Sequence, residues 1–291
     1  MAAPDLQEIH DFLISLAFRA GEIINNALPD TGGAGSKKNS ADLVTEYDRA
    51  VELMISTSLK EKYPDYAFHG EETYDPAKPL TDAPTFIVDP IDGTVNFVHG
   101  FPCACVSLGF AVGRVPTVGV VYNPVTKNLY SAIRGRGAFL NREKRLPLKG
   151  GNVEPLSGLS NALISIEWGS DRSGANWETK VRTFEKLGQS KEDGGAMVRS
   201  MRSLGSAALN ICAVAEGTLD LYWEGGCWAW DVCAGWAILA EAGGIMVDAN
   251  PGGWETRLDG RKYLAVRGAP EAGQREIVEE FWSYVQGRLD Y

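Results

Sequence analysis

The chain has 291 residues, of which 44% are hydrophobic and 23% are charged, a composition typical of a globular protein with a sizeable core. Its formal net charge of −10 argues against binding to nucleic acid or to an anionic membrane surface, because both favour a basic face. We find no secretory signal, no apolar run near the roughly 20 residues of a membrane span and no metal-type spacing of the five cysteines, and therefore expect a cytosolic protein with reduced thiols.

The first part of the chain predicts two helices and two strands. Helical spacing of apolar residues predicts a helix over 6–27, and a second helix that begins near residue 41 and ends before Pro64. The Gly-rich residues 29–38 between them predict a loop. A short strand over 66–69 follows, and the apolar residues 86–88 predict a buried strand.

The rest of the chain alternates between strands and helices. Antiparallel strands are predicted over 103–112, 115–122, 128–134 and 137–140. Further strands are predicted over 162–167, 219–223 and 263–266, and helices over 177–187, 205–216, 230–242 and 271–285. This order favours the α/β class, with layers of sheets and helices. We expect a single unit over 1–291, with soft subdomains 1–150 and 151–291 that meet near Lys149.

A strand that runs into two carboxylates is the most informative segment. Asp89 and Asp92 follow the predicted strand 86–88 on a Pro-stiffened turn, and a helix is expected to begin at Gly93 and Thr94. Hard oxygen ligands beside a helix N-terminus suit a divalent cation and a phosphate together. The segment therefore predicts metal-dependent phosphate chemistry.

Glu71 and Asp231 are two further acidic residues expected at this edge of the core. Asp231 opens the predicted helix 230–242, and only folding could bring it near Asp92. Two metal ions about 3.5–4 Å apart need one bridging carboxylate and separate ligands for each ion, and Asp89 is the natural bridge. Each residue also has an ordinary interpretation: turn residues for Asp89 and Asp92, a helix cap for Asp231 and a solvated loop for Glu71.

These residues resemble the signatures of the inositol monophosphatase family. The resemblance covers almost the whole chain, with two separated signatures in the expected order. The motifs are Gly70-Glu71-Glu72, Asp89-Pro90-Ile91-Asp92-Gly93-Thr94 with Asn96-Phe97, and Trp230-Asp231-x-x-Ala-Gly followed by Glu241-Ala-Gly-Gly, supported by Asp42-Leu43-Val44-Thr45-x-x-Asp48 and Gly205-Ser206-Ala207-Ala208.

One departure from the animal members of the family lies beside the expected substrate pocket. Trp228 and Ala229 stand where those enzymes tend to carry a His-Cys pair, which bears on the preferred alcohol more than on the chemistry. In this segment the sequence is similar to fungal members of the family, some of which are associated with quinate catabolism. We expect Trp223, Trp228 and Trp230 to be core residues or pocket walls rather than a sugar-stacking platform.

The resemblance implies both a fold and a reaction. The fold is an αβαβα sandwich of the type shared with fructose-1,6-bisphosphatase. The implied enzyme is a lithium-sensitive homodimer with two to three Mg²⁺ per active site. It would hydrolyse myo-inositol 1-phosphate to myo-inositol and phosphate, by in-line attack of a metal-activated water and without a covalent intermediate.

The resemblance also implies the metal ligands. A first Mg²⁺ would be bound by Glu71, Asp89 and the backbone carbonyl of Ile91. A second would be bound by Asp89, Asp92 and Asp231. Glu71 would hold a weaker third ion, largely through water.

The remaining site residues are implied in the same way. Glu71 and Thr94 would orient and deprotonate the attacking water, and Asp48 would support Thr94. The amides of Gly93 and Thr94 would hold the phosphate. The residues implied to meet substrate hydroxyls are Asp92, Gly205, Ala207 and Glu224. Lys37 matches a lysine near the third metal, although Lys38 adjoins it and a solvated basic loop is an equal alternative.

Other interpretations stay open at this stage. The Asp-x-Asp-Gly-Thr motif of haloacid-dehalogenase-type phosphatases has one residue fewer, and the extra residue here rotates the second carboxylate. Rival substrates are nucleoside 3′,5′-bisphosphates, inositol polyphosphates, sugar phosphates such as fructose 1,6-bisphosphate, and histidinol phosphate. The single carboxylate Glu224 suits a neutral polyol with one phosphate better than a second phosphate that needs arginines. From a different class, the protein could be a catalytically idle regulator linked to quinate catabolism.

Overall fold

The computed structural model describes residues 3–27, 35–36, 43–148 and 154–291. In this part of the chain the helices are α1 Leu6–Asn26, α2 Glu46–Lys62, α3 Thr94–His99, α4 Gly174–Gly188, α5 Ala207–Glu216, α6 Ala229–Glu241 and α7 Glu271–Tyr284. The strands are β1 Gly35–Ser36, β2 Leu43–Val44, β3 Ala67–Gly70, β4 Thr85–Asp92, β5 Cys105–Val112, β6 Val115–Asn123, β7 Asn128–Ile133, β8 Gly137–Leu140, β9 Lys144–Arg145, β10 Leu163–Ile166, β11 Ser200–Arg202, β12 Leu221–Gly225, β13 Ile245–Val247 and β14 Lys262–Val266. Among these helices none has the length and apolar character needed to cross a bilayer.

The strands form two large sheets and one small pair. The larger sheet has seven strands in the order β3-β4-β5-β6-β7-β8-β9, in which β3 and β4 are parallel and the other neighbours are antiparallel. The second sheet has five strands in the order β11-β10-β12-β14-β13 and is mixed. β1 and β2 pair with each other.

The helices and the two large sheets stack in five layers. One face of the seven-stranded sheet packs on α1 and α2, and its other face packs on α5 and α6. The five-stranded sheet lies on the opposite side of α5 and α6, and its outer face is covered by α4 and α7. The order is therefore α-β-α-β-α, which confirms the αβαβα sandwich expected from the sequence.

Most elements predicted after residue 100 are present, with ends that differ by a few residues. The strands that sequence patterns missed, β9, β11 and β13, have two or three residues and lie at sheet edges, where periodicity carries little signal. The second helix begins at Glu46 rather than near residue 41, because the Thr45 hydroxyl and the Asp48 carboxylate form a capping box there. The loop predicted over 29–38 contains the two-residue strand β1 at Gly35–Ser36, and the rest of that loop and the proposed boundary near Lys149 lie outside the described residues.

Two glycines allow α6 to lie directly on the seven-stranded sheet. Gly109 of β5 and Gly119 of β6 are cross-strand partners. A Cβ on Gly119 would lie 2.2 Å from the Ala234 carbonyl oxygen, and one on Gly109 would lie 2.5 Å from the Cys233 sulfur. These contacts fix the depth of α6, whose first turn carries Asp231.

We expect Gly119→Ala to lower the free energy of unfolding by about 1–3 kcal/mol, because the added methyl group would push against helix backbone. Gly273→Ala is the matched control. A Cβ there makes only ordinary contacts, with nearest atoms at 3.7 Å, and lies within α7, so the change should be neutral or stabilising by up to roughly 1 kcal/mol. Urea denaturation measures both, and equal effects would contradict the packing described.

Candidate functional site

A bulge in β4 brings two carboxylates to the same face of the sheet. Phe86 and Val88 point towards α1 and α2, whereas Ile87 points towards α5 and α6. Residues three apart on a regular strand face opposite sides. Between Asp89 and Asp92 the register shifts, because three steps along β4 match two steps along β5. The extra residue turns Asp92 back to the side of Asp89.

This bulge corrects the sequence-based expectation of a turn at Asp89, since β4 continues in extended conformation to Asp92. The change of direction comes at Gly93, whose φ is 90°, a region that favours glycine. A Cβ at Gly93 would also lie 2.7 Å from the Cys103 carbonyl oxygen. α3 begins at the next residue, Thr94.

Three carboxylates from distant parts of the chain meet at this point. One ligand atom from each of Asp89, Asp92 and Asp231 lies within 4.8 Å of the others. Asp89 and Asp92 are buried, and Asp231 comes from the first turn of α6. The structure therefore brings together three of the four acidic residues that the sequence placed at one edge of the core.

Protein donors fix two of these carboxylates. Asp92 Oδ2 accepts hydrogen bonds from the Ser206 hydroxyl at 2.6 Å and from the Ala208 amide, at the start of α5, at 2.7 Å. Asp231 Oδ2 accepts one from the Trp228 amide at 2.6 Å. Asp89 differs, because its Oδ1 is buried without a hydrogen-bond partner among the described residues. An orphaned carboxylate oxygen in a buried position is costly unless a cation or a donor reaches it.

Burial raises the pKa of every member of the cluster, and nearby carboxylates of the site add to this for Asp89 and Asp231. The pKa of Asp89 lies well above its usual range, first because of burial and then because of the charges of Glu71, Asp92 and Asp231. The pKa of Asp231 is raised by burial and by Asp92 and Glu71. Burial raises the pKa of Asp92 to about 6, against the opposing effect of its donors. Such a cluster favours a bound proton or a bound cation.

The cluster opens into a cleft of about 490 Å³. Its wall includes four acidic side chains, namely Glu71, Glu72, Asp92 and Asp231, and no lysine, arginine or histidine among the described residues. A phosphate in this cleft would meet carboxylates unless cations lay between them. Carboxylate oxygens are the ligands that Mg²⁺ and Ca²⁺ prefer, so the donor set and the orphaned Asp89 oxygen fit a divalent cation.

Glu71 and Ile91 lie on either side of this cluster. The Glu71 amide donates to the Val88 carbonyl at 3.2 Å, which places Glu71 beside β4, and its side chain lines the cleft. The Ile91 side chain is fully buried on the α1 and α2 face. Its carbonyl oxygen lies 3.1 Å from the Thr94 hydroxyl.

Thr94 is also linked to Asp48. The Thr94 hydroxyl lies 3.1 Å from Asp48 Oδ1, while Asp48 Oδ2 accepts hydrogen bonds from the Thr45 amide and hydroxyl. Burial raises the pKa of Asp48. Asp48 therefore caps α2 and also contacts Thr94, which lines the cleft.

The expected substrate contacts differ in their exposure. Gly205 lines the cleft with φ of 76°, whereas Ala207 is buried at the start of α5. Glu224 is buried and accepts a hydrogen bond from the Tyr222 hydroxyl, and burial raises its pKa to about 7. Its Oε1 lies 3.8 Å from the position of a Cβ on Gly169, which lines the cleft. Glu224 thus lies behind the cleft wall. Lys37 and Lys38 lie outside the described residues.

Two buried charged residues that sequence analysis missed support the cleft. Glu167 Oε1 accepts hydrogen bonds from the amides of Leu204 and Gly205 at 2.6 and 2.8 Å. The Lys180 ammonium donates to the carbonyls of Trp168 and Gly225 at 3.0 and 2.7 Å. A signal existed for Lys180, because it shares helical spacing with the apolar positions 177, 184 and 187 of α4.

Comparison with known proteins gives the relationships of the chain. A family model described as the inositol monophosphatase family matches residues 5–286. Inositol monophosphatase 2 of Saccharomyces cerevisiae is 51% identical over 260 residues, covering 88% of this chain and 86% of that protein. Quinic acid degradation cluster protein x of Neurospora crassa is 38% identical over 330 residues, covering 99% and 96%. The solved inositol monophosphatase of Anabaena (Nostoc) superposes with a TM-score of 0.76 at 27% identity, covering 97% and 96%.

Neutralising Asp89 tests the repulsion within the cluster. In metal-free buffer, we expect Asp89→Asn to raise the melting temperature by about 2–4 °C, the equivalent of roughly 1 kcal/mol, because the change removes a group that can ionise beside Asp92 and Asp231. Wild-type protein should be stabilised by Mg²⁺, by about 2.7 kcal/mol at 100 times the Kd, and the variant should not. Asp65→Asn, at an exposed position, is the control. A variant that keeps the full Mg²⁺ shift would contradict this assignment.

Proposed function

The chain belongs to the inositol monophosphatase family, and we propose that it is a Mg²⁺-dependent phosphatase that hydrolyses myo-inositol 1-phosphate to myo-inositol and phosphate. The observation that carries the proposal is the convergence of Asp89, Asp92 and Asp231 in a cleft whose described lining has no basic side chain. Such a cleft can accept a phosphate only together with cations.

The residues that would hold the cations are those of the cluster and its neighbours. Asp89 would bridge two ions, with Glu71 and the Ile91 carbonyl on one side and Asp92 and Asp231 on the other. Mg²⁺ in this position would neutralise the phosphate and lower the pKa of a water towards neutrality. The rigid hydrogen bonds to Asp92 and Asp231 keep these ligands in place before substrate arrives.

Thr94 and its partners would direct the attacking water. The Thr94 hydroxyl lies between Asp48 Oδ1 and the Ile91 carbonyl, at 3.1 Å from each. The Thr94 oxygen could take a proton from the water while the Thr94 hydroxyl proton moves to Asp48 Oδ1, and Glu71 would complete the orientation. The amides of Gly93 and Thr94 would hold the phosphate, and attack in line with the leaving alcohol would need no covalent intermediate.

The cleft favours one phosphate on a neutral alcohol. A second phosphate, as in nucleoside 3′,5′-bisphosphates or fructose 1,6-bisphosphate, would find no basic partner among the described lining residues. Gly205, Ala207, Asp92 and Glu224 are proposed to position the hydroxyl groups, and Glu224 would act from behind Gly169. Residence in the cytosol, assembly into a homodimer, lithium sensitivity and the soft subdomains 1–150 and 151–291 remain proposals that accompany this function.

A second candidate follows from the fungal relative whose name refers to quinic acid degradation. A catalytically idle regulator would have no reason to keep an orphaned carboxylate oxygen at Asp89, which costs stability. A panel of phosphate-release assays separates the candidates. It compares myo-inositol 1-phosphate, histidinol phosphate, adenosine 3′,5′-bisphosphate and fructose 1,6-bisphosphate, with Mg²⁺ and with added Li⁺. No Mg²⁺-dependent release from any of them would support the regulator.

Removing a proposed ligand should abolish turnover without unfolding the protein. We expect Asp231→Asn to lower kcat/KM for myo-inositol 1-phosphate on the order of 10³-fold, because stabilisation of transition-state charge is lost. Asp65→Asn again serves as the control. Steady-state phosphate release and circular dichroism check both proteins, and near-normal turnover in folded Asp231→Asn would refute the site.

The contact between Thr94 and Asp48 gives a smaller expected effect. Asp48→Asn should reduce kcat about 10- to 100-fold, as for other residues that orient a reactive group, with little change in KM. Thr94→Ser keeps the hydroxyl and should retain most activity, whereas Thr94→Val should lose it. If Thr94→Val and Thr94→Ser were equally active, the proton-directing role would be wrong.

A further inference from the structure

An aromatic cluster forms part of the wall of the cleft. Tyr74, Trp228 and Trp230 all line the cleft. The rings of Trp228 and Trp230 are stacked, with centroids 5.2 Å apart and an interplanar angle of 15°. Tyr74 contacts both, with centroid distances of 5.0 and 5.2 Å. We call these three residues the aromatic wall.

Arg261 fixes the aromatic wall from behind. Its guanidinium carbon lies 3.7 Å from the centroid of the Trp228 ring, a close cation–π contact. Its Nη2 donates to the Gly226 carbonyl at 2.8 Å, and its backbone amide donates to the Tyr263 hydroxyl at 3.0 Å. With Arg261 over its ring and Trp230 stacked beside it, Trp228 has little freedom to change rotamer.

Most of the remaining lining of the cleft is acidic or has no side chain. Four of the described lining residues are glycines, and the acidic residues belong to the cluster or lie beside it. Apart from the smaller side chains of Thr94, Val95 and Ser170, the rings of the aromatic wall are the uncharged side chains of the described lining. Ring C–H groups of a cyclic polyol pack well against indole edges and faces, whereas a short open chain covers less of them.

We infer that Trp228, positioned by Arg261, determines specificity by selecting a ring-shaped, uncharged alcohol over an acyclic one. The inference rests on the proposed function, which supplies the phosphate chemistry, and adds the residue that chooses the alcohol. Trp228 contacts the substrate ring. Arg261 is absent from the cleft lining and acts through Trp228, so it is a positioning residue.

The test compares two phosphate esters that differ in the shape of the alcohol. Trp228→Leu should raise KM for myo-inositol 1-phosphate about tenfold, the size expected for loss of a good aromatic contact, with kcat within about twofold. KM for glycerol 2-phosphate should stay within about twofold. Trp228→Phe keeps an aromatic ring, so it should keep part of the preference for myo-inositol 1-phosphate over glycerol 2-phosphate.

Substitutions of Arg261 test its proposed role in positioning Trp228. Arg261→Met should raise KM for the cyclic ester about threefold and weaken the near-ultraviolet circular dichroism of the stacked tryptophans. Arg261→Lys keeps the positive charge, so its KM and its circular dichroism should lie between those of the wild-type protein and Arg261→Met. The matched control is the pair Trp254 and Arg275, a cation–π contact of 4.2 Å away from the cleft. Trp254→Leu and Arg275→Met should leave the ratio of the two KM values unchanged.

The inference would be overturned if Trp228→Leu raised KM by the same factor for both esters, or if it left KM for myo-inositol 1-phosphate unchanged. Wild-type protein that prefers glycerol 2-phosphate would also overturn it, although the proposed phosphatase chemistry would stand. If wild-type protein hydrolysed neither ester, the proposed function would fail. Calorimetric binding of the two esters in Mg²⁺ would then decide the role of Trp228, and equal effects of Trp228→Leu on both affinities would count against it.

Discussion

Repulsion between buried carboxylates is the constraint on which this structure depends. One carboxylate oxygen from each of Asp89, Asp92 and Asp231 lies within 4.8 Å of the others, in a protein that already has a net charge of −10. Burial raises the pKa of all three carboxyl groups, and neighbouring acidic charges raise the pKa of Asp89 and Asp231 further. Such a cluster lowers the stability of the folded protein, and a divalent cation bound there would stabilise it.

The layers of the fold deliver the three side chains to one place. The bulge in β4 turns Asp92 to the face of Asp89, α5 supplies the donors that hold Asp92, and α6 lies deep enough on Gly109 and Gly119 to bring Asp231 alongside. The middle helical layer, α5 and α6, therefore packs on both the seven-stranded sheet, which carries Asp89 and Asp92, and the five-stranded sheet. Changes in packing of α6 should act on the site as well as on stability.

The sequence predicted most of the fold and the identity of the acidic cluster, because hydrophobic periodicity and motif spacing are local signals. It could not predict the short edge strands β9, β11 and β13, whose pairing depends on the rest of each sheet. Nor could it predict that the Asp89 segment stays in the sheet, since a bulge shows only in the register with β5. Glu224 behind the cleft wall and Arg261 beneath Trp228 depend on contacts between distant segments.

The most direct test of the central claim is anomalous diffraction from crystals soaked in Mn²⁺, a stand-in for Mg²⁺ that scatters anomalously. We expect at least one anomalous peak at roughly 2.0–2.3 Å from the carboxylate oxygens, with the orphaned Asp89 oxygen among its ligands. Crystals that bound Mn²⁺ only elsewhere, and left Asp89, Asp92 and Asp231 without an ion at saturating concentration, would contradict it.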